Sequence, residues 1–242
     1  MLQPWQKGVF TRIEDHAPQV KRFWVQLPDV ESIAFQPGQF MTFDLPIHEK
    51  KNRRWRSYSI ASAPDGGNTL EFVIVRMDGG AGTHYLFDEV KEGDTLLLRG
   101  AQGSFVLPAD AHSRELCFIC TGTGIAPFRS MLHDMHTKDI QRQVPIHLIF
   151  GTRLSENVLY RSEMEALCQS LPLNYHICLS RQQTLGAGER QGYVHAVYQE
   201  IFADHHDALF LICGWQTMLD EARQRLAEMG YDKKQIIFES YG

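Results

Sequence analysis

The hydrophobic pattern of this chain changes period near Pro108, and that change limits the folds open to it. From Val9 to about Leu107, short alternating apolar stretches are broken by Gly, Pro, Asn and Asp. Examples are Phe23-Trp24-Val25-Gln26-Leu27 and residues 40–45, 70–75 and 95–98. Residues two apart on a strand share a face, so this spacing predicts an antiparallel barrel or sandwich. One helix is expected over 83–89, after the turn Gly79-Gly80-Ala81-Gly82. Beyond Pro108, apolar runs at 116–120, 146–150, 175–179 and 209–213 alternate with amphipathic segments at 127–135, 162–169 and 217–229. Such alternation predicts a parallel sheet with helices on both faces. The expectation is a two-domain chain, an antiparallel β-barrel over 1–110 and an α/β domain over 111–242, joined through 108–114.

Composition removes several function classes. The 242 residues suffice for two cores, and a net charge of −5 argues against a general nucleic-acid binder. No run approaches the ~18–20 apolar residues of a membrane span. The opening Met1-Leu2-Gln3-Pro4-Trp5 lacks the basic and apolar regions of a signal peptide, so a cytoplasmic protein is expected. Cys117 and Cys120 have C-x2-C spacing but sit inside the apolar run 116–120. Residues three apart on a strand point to opposite faces, so a buried strand is the better reading. The five cysteines contain no iron–sulfur spacing, and His205-His206 reads as a loop rather than a metal pair. No metal site is expected.

Three motifs point to chemistry. Arg56-Ser57-Tyr58-Ser59-Ile60-Ala61-Ser62 is either an ordinary cross-strand set or a flavin site. For a flavin, Arg56 offers a forked phosphate donor, Tyr58 a flat face, and Ser59 a small hydroxyl. Arg76 precedes Gly79-Gly80-Ala81-Gly82-Thr83, which is either a glycine-rich hairpin turn or a helix start open to a pyrophosphate. Cys120-Thr121-Gly122-Thr123-Gly124-Ile125-Ala126-Pro127 lies between a strand and a helix, where a phosphate-cradling turn belongs. The loop 100–105 reads as structural.

Together these residues resemble the ferredoxin–NADP reductase family over nearly the whole length. The resemblance covers Arg56-Ser57-Tyr58-Ser59, Gly82-Thr83 with Leu86, Gly122-Thr123-Gly124-Ile125-Ala126-Pro127-Phe128-Arg129-Ser130, Ser180-Arg181-Gln182-Gln183-Thr184, Cys213-Gly214 and Glu239-Ser240-Tyr241. It implies a flavin-binding barrel followed by a nucleotide-binding α/β domain, with FAD and NADP as cofactors. By the same resemblance, Arg56 and Ser57 hold the flavin, Tyr58 packs on its ring or ribityl chain, and Ser59 faces its N5. Ile74, Val75 and Arg76 line the flavin strand, and Gly82 and Thr83 meet the pyrophosphate. Gly122, Thr123 and Gly124 meet the nicotinamide nucleotide, with Cys213 beside its C4 and Glu239 nearby. Two departures stand out: Thr83 replaces a usual serine, and Gly242 follows Tyr241 where plant-like members end on a flavin-stacking aromatic.

The implied activity is hydride transfer from NADPH to flavin, then single electrons to ferredoxin or flavodoxin. Ser180, Arg181 and Arg190 are either partners of a 2′-phosphate, with Tyr193 stacked on the adenine, or part of a polar surface loop over 181–192. Lys50, Lys51, Arg53 and Arg54 form a basic run that is either solvated surface or a dock for an acidic carrier. A monomer is expected. Two alternatives are an NADH-dependent reductase component of an oxygenase and a nucleotide-binding module without activity.

Overall fold

The computed structural model describes residues 3–140 and 142–241. Met1 and Leu2 of the opening segment, Gln141 and Gly242 lie outside the described residues. The chain divides into two compact units, Met1–Val106 with Ala126–Asp134, and Leu107–Ile125 with Met135–Gly242.

The first unit is a six-stranded sheet of β1 (Gln6–Ala17), β2 (Val20–Gln26), β3 (Phe40–Asp44), β4 (Trp55–Ser59), β5 (Thr69–Val75) and β6 (Thr95–Gln102). Its order is β4-β3-β6-β1-β2-β5, and every neighbouring pair is antiparallel. Just past β4, the Ala61 N–H donates to the Glu71 carbonyl of β5 at 2.8 Å, so the two edges meet and the sheet curls into a barrel. Period-two burial does the packing: Phe23 and Val25 of β2 point inward with Phe10, Phe43 and Phe72, whose rings meet edge-on. Helix α1 (Ala81–Asp88) adds buried Leu86 to this core. It begins two residues earlier than the sequence suggests, because Gly80 serves as N-cap and the last glycine of the run enters the first turn.

The second unit is a parallel sheet of β7 (Glu115–Thr121), β8 (Ile146–Thr152), β9 (Leu173–Leu179), β10 (Glu189–Gln191), β11 (Ala208–Trp215) and β12 (Ile236–Tyr241). Its order is β10-β9-β8-β7-β11-β12. Along the chain, helices α2 (Ala126–Thr137), α3 (Arg161–Leu167), α4 (Val194–Ile201) and α5 (Gln216–Glu228) alternate with these strands, although Ala126–Asp134 of α2 groups with the first unit. Residues 116–120 of β7 and 208–214 of β11 are buried without alternation, as expected for central strands covered on both faces. Cys117 and Cys120 are both fully buried there. The chain builds outward from β7 to β10 on one side, then returns to place β11 on the other. In open α/β sheets, ligands bind at such a reversal, outside the carboxyl ends of the strands. Among the described residues, no helix is long and apolar enough to cross a membrane.

Near the opposite strand ends of this unit lies a histidine chain. His147 Nδ1 is 3.2 Å from His176 Nε2, His147 Nε2 is 3.0 Å from Glu115, and Glu115 also meets His206 at 3.4 Å. Burial keeps His147 and His176 towards the neutral form, with His176 pushed down to about 4 and the charges of His147 and Arg190 adding to that shift. His206, held by Asp204 and Glu115, is shifted up. A depressed histidine contributes stability above its unfolded value of 6.5 and loses it as pH falls, because the unfolded chain binds the proton first. His206 works in the opposite sense. Replacing His176 with Gln is therefore expected to flatten the decline in Tm between pH 6.5 and 4, measured by calorimetry. A decline as steep as the parent's would show that His176 does not contribute to it.

Candidate active site

The first unit assembles an anion cradle beside a flat ring. On β4, Arg56 and Tyr58 share one face while Ser57 and Ser59 share the other. Tyr58 meets Phe43 edge-on at 5.1 Å, and burial pushes its phenol well above the usual tyrosine range against the pull of Arg56. The Arg56 guanidinium donates to the carbonyls of Trp55 (2.8 Å) and Arg53 (3.1 Å). Its stem lies against the first turn of α1: a Cβ on Gly82 would sit 3.0 Å from Arg56 Cγ. The first N–H groups of a helix have no acceptor within it, and no acidic residue occupies this first turn. Guanidinium and helix start together make a place for a phosphate group.

Neighbouring residues stiffen the cradle. The Thr83 hydroxyl accepts from Met77 N–H and donates to the Gly80 carbonyl, both at 3.0 Å, so it braces the turn that opens α1. Arg76 grips Asp88 with two bonds of 2.8 and 2.7 Å, tying the end of β5 to the last turn of α1. Ile74 faces the core and Val75 is half-buried. Ser57 lies 3.2 Å from Thr42, which in turn accepts from Gln102. Ser59 is buried opposite Phe40.

In the second unit, the turn Gly122–Ile125 leaves the carboxyl end of β7, beside the end of β11. Gly124 is required there, because a Cβ at that position would come within 2.4 Å of the Cys213 carbonyl oxygen. Thr123 is buried in the same turn. Register sets Cys213 between Cys120 of β7 and Glu239 of β12, and pairs Trp215 with Tyr241. Burial pushes the Cys213 thiol far up; the Glu239 charge adds to this, and a hydrogen bond with Tyr241 opposes it. Cys213 therefore stays a neutral thiol.

Further along the same sheet edge, Ser180 donates to the Thr152 carbonyl at 3.4 Å, and Arg181 N–H donates to the Arg153 carbonyl at 2.9 Å. Exposed Arg153 and Arg181 thus extend the ends of β8 and β9 side by side. Arg190 is instead paired with Glu200, away from the serine–arginine pair in its bonding. Glu189 is held by Ser155, Gly186 N–H and Arg161, which keep its carboxyl below the usual range and fold the loop over 180–190. Tyr193 precedes α4 and is 71% exposed. Sequence reasoning did not single out Arg153, which follows β8 as Arg181 follows β9 by two residues, or Trp215, which closes β11 two residues beyond Cys213. Among the described residues, no cluster of His, Cys, Asp and Glu is arranged to hold a metal ion.

Known proteins match this arrangement. Residues 8–107 match the oxidoreductase FAD-binding domain, and residues 118–224 match the oxidoreductase NAD-binding domain. The chain is 34% identical over 235 residues to ferredoxin–NADP reductase B of Sorangium cellulosum, covering 93% of both chains. The chain belongs to the ferredoxin–NADP reductase family. Its likeness to the Rhodococcus jostii propane 2-monooxygenase reductase component is 29% over 96% of this chain but only 62% of that protein. The fold matches that of the Neisseria gonorrhoeae ferredoxin–NADP+ reductase at a TM-score of 0.80, with 24% identity and 98% of each chain covered. This reductase is thus an electron-transfer oxidoreductase with FAD and a nicotinamide dinucleotide as its cofactors. The Arg56 cradle suits the diphosphate of FAD in charge and donor geometry.

The approach of Gly124 to Cys213 gives this reductase a direct test. Gly124→Ala overfills the contact and is expected to cost about 1–3 kcal/mol and to weaken nucleotide binding. Urea unfolding and nucleotide titration measure both, and an unchanged midpoint would mean that β11 yields freely.

Proposed function

We propose that this reductase takes a hydride from NADPH and hands electrons singly to an acidic carrier, ferredoxin or flavodoxin. The observation that carries the reading is the anion cradle of Arg56 and α1 with Tyr58 on the same strand face. FAD, when bound, supplies the conversion of a two-electron donation into one-electron steps. The protein's part is positioning. Arg56, with Gly82 and Thr83 at the start of α1, holds the diphosphate. Tyr58 covers the ring or ribityl chain, Ser57 supports the strand, and Ser59 faces flavin N5. Ile74, Val75 and Arg76 form the adjoining wall. Gly122, Thr123 and Gly124 take the phosphates of the nicotinamide nucleotide. Cys213, neutral through burial, meets the nicotinamide without adding charge, while Glu239 and Tyr241 orient it. Hydride transfer needs donor and acceptor at about 3–3.5 Å, so placement within tenths of an ångström is what these residues supply. The free thiols of Cys117, Cys120, Cys168, Cys178 and Cys213 accord with a cytoplasmic setting.

The choice of NADPH rests on Ser180, Arg181 and the adjacent Arg153, with Tyr193 open to stack on adenine. Arg190 makes the lesser contribution, since Glu200 already neutralises it. The double substitution Arg153→Ala/Arg181→Ala is expected to weaken NADPH ten- to a hundred-fold relative to NADH. That matches the loss of about 1.5–3 kcal/mol from a charge-assisted phosphate contact. Equal losses in kcat/KM for both nucleotides would make the loop structural. A parent that prefers NADH would favour the oxygenase-component reading suggested by the Rhodococcus relative.

The carrier is proposed to dock on Lys50, Lys51 and Arg53, which are exposed on the β3–β4 connection. Arg54 drops out of this surface, because it is bound to Asp44 at 2.7 Å and to the Leu45 carbonyl. Close by, the Arg99 guanidinium lies over the rings of Trp5 and Trp55, 4.6 and 4.5 Å from their centres, while the two rings are themselves 5.7 Å apart. Reversing Lys50, Lys51 and Arg53 to Glu is expected to slow electron transfer to the carrier at low salt and to leave flavin reduction by NADPH unchanged. Rising salt should slow the parent in the same way, because screening sets in beyond ~8–10 Å at physiological ionic strength. Turnover indifferent to both charge and salt would remove this dock.

A further inference from the structure

Arg129 and Ser130 complete the phosphate-turn motif, yet neither has a task in the function above. Both lie on α2, in the stretch Ala126–Asp134 that belongs with the barrel. Arg129 Nη1 donates to the Ala61 carbonyl at 2.8 Å and lies 3.1 Å from Glu71 Oε2. The Ser130 hydroxyl donates to the Ser62 carbonyl at 2.6 Å. Glu71 is 4% exposed and also meets Arg22 at 2.7 Å; its own N–H donates to the Ser62 hydroxyl at 3.1 Å. Ile60 N–H donates to the Gln39 carbonyl, and Ala61 N–H to the Glu71 carbonyl. The three residues that follow Ser59 are thus pinned one after another, from β5, from the segment before β3, and from α2.

A buried ion pair is weak evidence for stability, since well-packed apolar side chains fold a protein as well or better. What the pair adds is direction: Arg129, held by Glu71, donates to the Ala61 carbonyl on the backbone that leaves Ser59. We propose that Arg129 and Glu71 are positioning residues, a clasp that fixes Ser59 against the flavin. The inference rests on the functional reading that Ser59 faces flavin N5. It adds that the helix following the nucleotide-phosphate turn sets the flavin strand. The arrangement is chemical as well as steric, because Nη1 alone serves both a carbonyl and a carboxylate. A lysine, whose nitrogen stops one bond short, cannot reproduce it.

The test is stopped-flow reduction of the FAD-loaded protein by saturating NADPH. It compares the parent, Ser59→Ala, Arg129→Lys, Glu71→Gln and the Ser59→Ala/Arg129→Lys double variant. Arg129→Lys and Glu71→Gln are expected to retain FAD and to slow the limiting reduction rate on the order of ten-fold, with the visible flavin circular dichroism altered and NADPH affinity little changed. The double variant should be no slower than Ser59→Ala alone, because the clasp acts through Ser59. Glu71→Gln, which keeps the shape of the site, answers the question if Arg129→Lys fails to fold. FAD-loaded clasp variants that reduce at the parental rate would overturn the inference alone, as would slowing that multiplies with Ser59→Ala. A parent without flavin, or one that NADPH does not reduce, would overturn the functional reading and the inference together.

Discussion

Two glycine-bearing helix starts, whose positive dipole ends favour an anion, are the constraint on which the rest of this structure depends. Helix α1 begins at Ala81 after a glycine run, and α2 begins at Ala126 directly after the turn Gly122–Ile125. Neither carries an acidic residue in its first turn. Each start therefore favours negative charge from outside the chain. The barrel delivers Arg56 to the first, and the parallel sheet carries the turn Gly122–Ile125 that leads into the second at its topological reversal between β7 and β11. The glycines are the means: Gly82 lets the Arg56 stem lie on the helix, and Gly124 lets the turn settle against the Cys213 carbonyl.

Charge is handled differently around the two starts. In the barrel, ionised groups are paired at close range: Arg76 with Asp88, Arg54 with Asp44, and Arg22 and Arg129 with Glu71. Such pairs hold geometry and leave Arg56 beside the open helix start. In the α/β unit, the groups nearest the reversal are kept neutral by burial, Cys120 and Cys213 above all. An uncharged thiol at Cys213, proposed to lie beside the nicotinamide, suits a reaction whose partners must meet without a competing fixed charge.

The architecture was legible because each half follows one period. The apolar stretch 70–75 and the continuous apolar run 116–120 match β5 and β7 almost to the residue. Strand β1 was not singled out, since register shifts between Phe10 and Arg12 and between Asp15 and Ala17 interrupt its alternation. Strand β10 is three residues long, too short for any period to show, and β12 mixes exposed and half-buried positions. At the site, motif residues were visible as local patterns, but their bonding was not. That Thr83 braces its own turn, that Arg54 belongs to Asp44 and that Arg190 belongs to Glu200 depend on partners several to many residues away. The link from Arg129 to Ala61 spans 68 residues and has no local signature at all.

The proposed function requires a bound nicotinamide nucleotide to reduce the chain's own flavin directly. Anaerobic mixing of the FAD-loaded protein with NADPH deuterated at the transferred position of C4 tests it most directly. Single-turnover bleaching of the flavin is expected, slowed by the deuterium, because hydride transfer between positioned partners is the step observed. A flavin that stays oxidised, or bleaches at a rate indifferent to the label and to which nucleotide is supplied, would contradict it.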